Sequence, residues 1–213
     1  MQLRIQNLLP SFFKKESALE SEIWRKDLSF EKGELIKIVA PSGKGKSSLM
    51  NFLYGMRNDY NGTISYDDHD LRRFDREQLA RYRKDYISIV FQDLRLFPNQ
   101  SVFDNIEIKR QLNPFHTSEK IREMTARLGI EDKLGVMSSQ CSYGEQQRVA
   151  IIRSLVQPFD WLLMDEPFSH LDHENIRKAA ELITEECSKR SAGFLLTDLE
   201  EDNHFNYTRK LNL

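Results

Sequence analysis

The chain has 213 residues, 30% of them charged, with a formal net charge of −2. That length holds one generous domain with a real hydrophobic centre, or a core with a smaller lobe. The charge balance excludes the broad basic field of a nucleic-acid binder, and no apolar stretch approaches the roughly 18–20 residues that span a bilayer.

The N-terminus, MQLRIQNLLPSFFKK, carries no apolar core and no cleavage site, so export is not expected and the protein reads as cytosolic. LRIQNL (3–8) and EIWRKDLSF (22–30) alternate like half-buried strands, and ELIKIVA (34–40) is a short apolar strand leading into a loop. KSSLMNFLYG predicts a helix stopped by Gly55. NGTISYDD predicts a turn and an edge strand, DREQLARYRKD a helix, and YISIVFQ (86–92) a buried strand. From Pro98 to Val156 the pattern is mostly helical, with Ser118 placed as an N-cap and Ile121, Met124 and Leu128 along one face. A strand at 161–165, the long helix HENIRKAAELITEECSKRS, the strand GFLLT and a last strand near RKLNL complete the series. Repeated strand–loop–helix units predict an α/β fold whose mainly parallel sheet is sandwiched by helices. Cys141 and Cys187 form neither a metal-ligand spacing nor a disulfide framework.

Between the third strand and the first helix stands Ala40, Pro41, Ser42, Gly43, Lys44, Gly45, Lys46, Ser47, followed by Ser48. Such a loop turns consecutive backbone N–H groups inward, and the helix N-terminus adds positive potential, so it binds phosphate. Lys46 would reach the β- and γ-phosphate oxygens and Ser47 would ligate Mg²⁺. Ala40 stands where the motif has its first glycine, which alanine can fill wherever φ is negative. Asp165 and Glu166 end the strand at 161–165. A carboxylate there can hold magnesium through water, and the next can polarise a water for in-line attack on the γ-phosphate. Ser142 and Glu145, three apart at the start of a helical run, also make a capping box.

Taken together, the phosphate loop, the run Cys141-Ser142-Tyr143-Gly144-Glu145 with Gln146, Gln147 and Arg148, and Asp165-Glu166 with Ser169 and Asp172 resemble the ATP-binding cassette (ABC) family of ATPases from about Leu3 to the last residue. The stretch RYRKDYISIVFQDLRLFPNQSVFDNI looks like the small cassettes of lipoprotein-release, macrolide-export and cell-division transporters. The resemblance implies a single domain over 1–213, with a P-loop NTPase core, N-terminal antiparallel strands and a helical lobe at about 93–156. It implies Glu166 as general base, Asp165 as the magnesium-side carboxylate, and Gln92 in the magnesium sphere and linking the two lobes. Ser142, the Gly144 amide and Glu145 would act on ATP held by a second copy in a sandwich dimer. Phe12, with Phe13 next, would be the adenine platform.

Two departures stand out. The family form of the signature is LSGGQ, and this chain has Cys141-Ser142-Tyr143-Gly144-Glu145, where Cys141 and Tyr143 are substitutions that sit beside Ser142 and Gly144. After GFLL the family has a Thr-His-Asp run whose histidine touches the γ-phosphate, where this chain has Thr197-Asp198-Leu199-Glu200. Either Asp198 or Thr197 occupies that position, and an ionised Asp198 beside a phosphate would be repelled. The function implied is the ATP-binding, ATP-hydrolysing subunit of a transporter, driving a separate membrane-spanning permease, with no nucleic-acid partner. A mechanical or signalling cassette and a slowly hydrolysing ATP switch are the alternatives. The sequence stops at about the last expected strand, so no appended regulatory domain is expected.

Overall fold

Strand and helix alternate along the chain in the computed structural model, which describes residues 1–13 and 20–213. The strands are β1 (Leu3–Pro10), β2 (Asp27–Phe30), β3 (Leu35–Val39), β4 (Tyr60–Tyr66), β5 (His69–Asp70), β6 (Ile87–Val90), β7 (Trp161–Asp165), β8 (Gly193–Asp198) and β9 (Arg209–Asn212). The helices are α1 (Lys46–Leu53), α2 (Arg76–Asp85), α3 (Val102–Leu112), α4 (Ser118–Arg127), α5 (Tyr143–Leu155) and α6 (His173–Arg190).

The parallel sheet runs β6-β7-β8-β3-β9. All five residues of β7 are buried, as a strand covered on both faces requires, which is why it reads as an unbroken apolar run. Alternate residues feed two cores. Leu163, Leu195, Ile36 and Ile38 pack toward α1 and the antiparallel sheet, whose order is β2-β1-β4-β5. Leu162, Met164, Phe194 and Leu196 pack toward α3, α4, α5 and α6. Because β8 lies between β3 and β7, the loops after β3 and β7 open at the same carboxyl end with one strand between them. Ligands of open α/β sheets bind at that end.

Three local expectations are corrected. The strand at 22–30 shrinks to Asp27–Phe30. Arg25 takes a left-handed φ of 62°, and the Ser21 hydroxyl accepts from the Ile23 and Trp24 amides at 3.1 and 2.8 Å, so residues before Asp27 form a turn. The strand expected at the edge, β4, is internal, paired with β1 and β5. Thr117 holds the N-cap position of α4 without a side-chain bond, and Ser118 is the first helical residue.

Candidate functional site

The phosphate loop is shaped by two left-handed glycines, Gly43 (φ 79°) and Gly45 (φ 97°), while Ala40 is not among the positive-φ residues. At Gly45 a β-carbon would also stand 3.0 Å from the Trp24 ring and 3.2 Å from Phe13, so both backbone and space demand glycine. Lys46 is 5% exposed. Its ammonium donates to the carbonyls of Ala40 (2.7 Å) and Pro41 (3.2 Å) and pairs with Glu166 Oε1 at 3.2 Å. The lysine thus sits at the centre of its own loop.

Around it the strand-end residues converge. Gln92, two residues beyond β6, accepts from Ser47 Oγ at 3.0 Å and donates through Nε2 to Glu166 Oε2 at 3.0 Å. Glu166 has a left-handed φ of 48°, with its amide donating to Thr197 O at 3.0 Å. Asp165 is buried and accepts from Thr197 Oγ1 at 2.7 Å. Burial pushes the Asp165 carboxyl above the ordinary aspartate value, an effect the Ser47 and Thr197 hydroxyls oppose and the neighbouring Glu166 charge reinforces. Phe12, Ser42, Gly43, Gly45, Ser47, Ser48, Gln92 and Glu166 line a cavity of about 250 Å³ over the loop. Phe12 is 54% exposed, edge-on to Phe13 and 5.2 Å from the Arg57 guanidinium.

The signature residues are engaged differently. Ser142 caps α5, its hydroxyl accepting from the Glu145 amide at 3.3 Å while Glu145 Oε2 accepts from the Ser142 amide at 2.7 Å. None of Ser142, Gly144 and Glu145 lines the cavity over the phosphate loop. A β-carbon on Gly144 would meet the His170 carbonyl at 2.9 Å, so glycine is needed for α5 to approach the loop after β7. Asp198 is the residue the geometry does not gather. Its carboxylate turns to the buried Lys37, 3.1 Å away, rather than into the phosphate cavity, because adjacent residues of β8 face opposite sides of the sheet. Thr197 takes the side that faces Asp165.

Sequence reasoning gave no role of their own to three residues that the structure brings into the site or beside it. Gln147 is buried and donates to Glu166 O and Ser169 Oγ, both at 3.3 Å, while accepting from the His170 amide at 3.1 Å. Tyr143 OH donates to Gln92 O at 3.0 Å, joining α5 to the end of β6. Lys37 had a visible signal, a charge inside the apolar run LIKIV.

The profile of the family described as ABC transporter matches residues 25–169. The ABC transporter ATP-binding protein YtrE of Bacillus subtilis (strain 168) is 31% identical over 82% of this chain and 77% of its own. The lipoprotein-releasing system ATP-binding protein LolD of Buchnera aphidicola subsp. Schizaphis graminum (strain Sg) is 32% identical over 91% of this chain and 86% of its own. The fold superposes on the dimeric structure of MJ0796, a bacterial ABC transporter cassette, with a TM-score of 0.83 over 99% of this chain and 94% of that one at 22% identity. The chain belongs to the ABC transporter family, as one of its ATP-binding, ATP-hydrolysing cassettes.

Proposed function

We propose that the chain energises a separate membrane-spanning permease from the inner face of the membrane, pairing with a second cassette copy to close two ATP sites. The observation that carries this reading is the convergence of Lys46, Gln92 and Glu166 over the phosphate loop. Lys46 orients the β- and γ-phosphates, and Glu166 takes the proton of a water aligned for in-line attack. Gln92 fixes the Glu166 carboxylate through its amide. Ser142 and the Gly144 amide, at the positive end of α5, then serve the nucleotide of the other copy. The helices between about 93 and 156 form the lobe that carries this signature.

Ser47 Oγ, the Gln92 amide oxygen and the Asp165 carboxylate fit Mg²⁺. They are hard oxygen donors, and the described residues hold no cluster of three His, Cys, Asp or Glu that would cage a cation without phosphate and water. When bound there, the ion would neutralise charge on the β- and γ-phosphates.

Among the described residues no helix is long and apolar enough to cross a membrane. For the docking surface of the permease we take the groove of about 260 Å³ lined by Tyr54, Phe91, Phe97, Ile108, Leu112, Lys109 and Arg153. Phe97, Ile108 and Leu112 are 50%, 45% and 57% exposed. Among the described residues Lys109 and Arg153 have no carboxylate partner; burial lowers Lys109 to about 8 and Arg153 to about 10. The complementary occupant is an apolar permease segment bearing a carboxylate. Affinity purification of the tagged chain from solubilised native membranes tests this. A membrane-spanning chain should co-purify, and Lys109→Glu with Arg153→Glu should release it while ATP binding persists. A chain that emerges alone overturns the permease assignment.

A further inference from the structure

A lysine at the centre of β3 has no apolar reason to be there. Lys37 is completely buried, with its ammonium 3.1 Å from Asp198 Oδ2 and paired also with Asp202. Tyr207 OH donates to Asp202 Oδ1 at 2.6 Å, and the Tyr207 ring lies 5.9 Å from the lysine nitrogen. Burying an ammonium is costly unless it is paired, and here two carboxylates from the segment that ends and follows β8 share the task. Burial would raise the Asp202 carboxyl, but the bonds from Lys37 and Tyr207 outweigh it and hold the group below its ordinary value.

The backbone of Asp198, by contrast, belongs to the phosphate end of the sheet. Its carbonyl accepts from the Ala40 amide at 3.1 Å, its Cα pairs with Val39, and the residue before it bonds Asp165. An ionised carboxylate leaving the sheet at that point and turned toward the loop would repel the terminal phosphate of a bound nucleotide. ADP has no such phosphate and would feel the charge less. Asp198 is the last residue of β8 and partly exposed; the alternation of the strand starts its side chain toward the far face, and Lys37, with the Leu199 amide donating to Oδ1 at 2.8 Å, holds the carboxylate there.

We propose that Lys37 is a positioning residue for ATP. By holding the Asp198 carboxylate on the sheet face opposite Thr197, it lets the chain keep an anion beside the phosphate loop without losing affinity for the γ-phosphate. This rests on the ATP-binding reading of the phosphate loop. Lys37 touches no substrate and acts through Asp198. Asp202 alone can still neutralise the buried lysine, so Asp198→Asn is expected to be nearly silent.

The test is the ratio of ATP to ADP affinity, measured by calorimetry on the full chain and on Lys37→Met, Asp198→Asn and the double variant. Lys37→Met should weaken ATP about tenfold relative to ADP, and adding Asp198→Asn should restore the ratio. A merely structural role would weaken both nucleotides together and would not be rescued. If Lys37→Met does not fold, the same comparison is made in Lys37→Met/Asp202→Asn, with and without Asp198→Asn, which removes one uncompensated charge. An unchanged ratio in the folded variant, or a loss that Asp198→Asn does not repair, overturns the proposal. A wild-type chain that binds neither nucleotide overturns instead the ATP reading beneath it.

Discussion

Gln92 and Glu166 meet at the mouth of the phosphate loop, the amide Nε2 of one donating to the carboxylate of the other at 3.0 Å. The same glutamine accepts from Ser47, and its carbonyl accepts from Tyr143. A displacement of Gln92 is therefore felt at once by Ser47 of the loop, by the Glu166 carboxylate and by the first turn of α5.

Glu166→Gln removes the proposed proton acceptor and keeps the shape. Turnover should fall about 10²–10⁴-fold with ATP still bound. The trapped nucleotide should favour the paired state, seen as a doubled mass in size-exclusion light scattering with ATP and Mg²⁺. A variant that hydrolyses at the wild-type rate would remove Glu166 from the chemistry.

Lys46→Ala takes away a buried ammonium that the loop wraps with two carbonyls. It also strips Glu166 of its counter-charge. ATP affinity should drop by about 2–4 kcal/mol, read by calorimetry. Equal affinities for the two proteins would end the assignment of Lys46.

Thr197→Val deletes the hydroxyl that holds Asp165 at 2.7 Å while nearly preserving volume. Outer partners of a metal-side ligand are worth about 10–100-fold, so the Mg²⁺ concentration needed for half-maximal turnover should rise by that order. Mg²⁺ titration of the ATPase rate measures it. An unshifted midpoint would mean that Asp165 needs no orientation from β8.

Much of this architecture was legible because parallel strands covered on both faces must be apolar, as WLLMD at β7 and the run around ISIV at β6 are. The phosphate loop was legible because its glycines obey a backbone rule that leaves a mark in the text. What the text could not carry were side-chain directions. Asp198 and Thr197 are neighbours in sequence but face opposite sides of a strand, and the partner that holds the Asp198 carboxylate on its side is Lys37, far away in sequence on β3. Tyr143 read as a mere departure beside the signature, since its hydroxyl partner lies on another element. The irregular backbone at Arg25 likewise depends on Ser21 bonding the next turn, which alternation of apolar residues cannot reveal.

Glu186 sets an acid limit on stability. It is completely buried on α6, bonded by His116 from the loop before α4 and by Lys189 and Arg190 of its own helix. Burial alone would raise its pKa, but these donors win and lower it from 4.5 to about 2. A carboxyl depressed in the folded state stabilises fully above its unfolded pKa. That contribution is then lost as the pH falls from about 4.5 toward about 2. Glu186→Gln should therefore cost about 3 kcal/mol at neutral pH, and the gap to wild type should close across that acid window. Urea midpoints at several pH values would show it. A gap that is constant with pH would mean that the residue acts through packing alone.

The reversed φ at Glu166 makes the end of β7 an elbow. One residue drops its carboxylate into the dry edge of the sheet, and the next, with its main chain turned over, swings the other out into the cavity over the phosphate loop. A branched β-carbon resists that conformation, so valine or threonine at 166 would straighten the elbow as well as delete the acid. Glutamine deletes the acid alone. Two dead enzymes would result from different injuries, and only the second would report on chemistry.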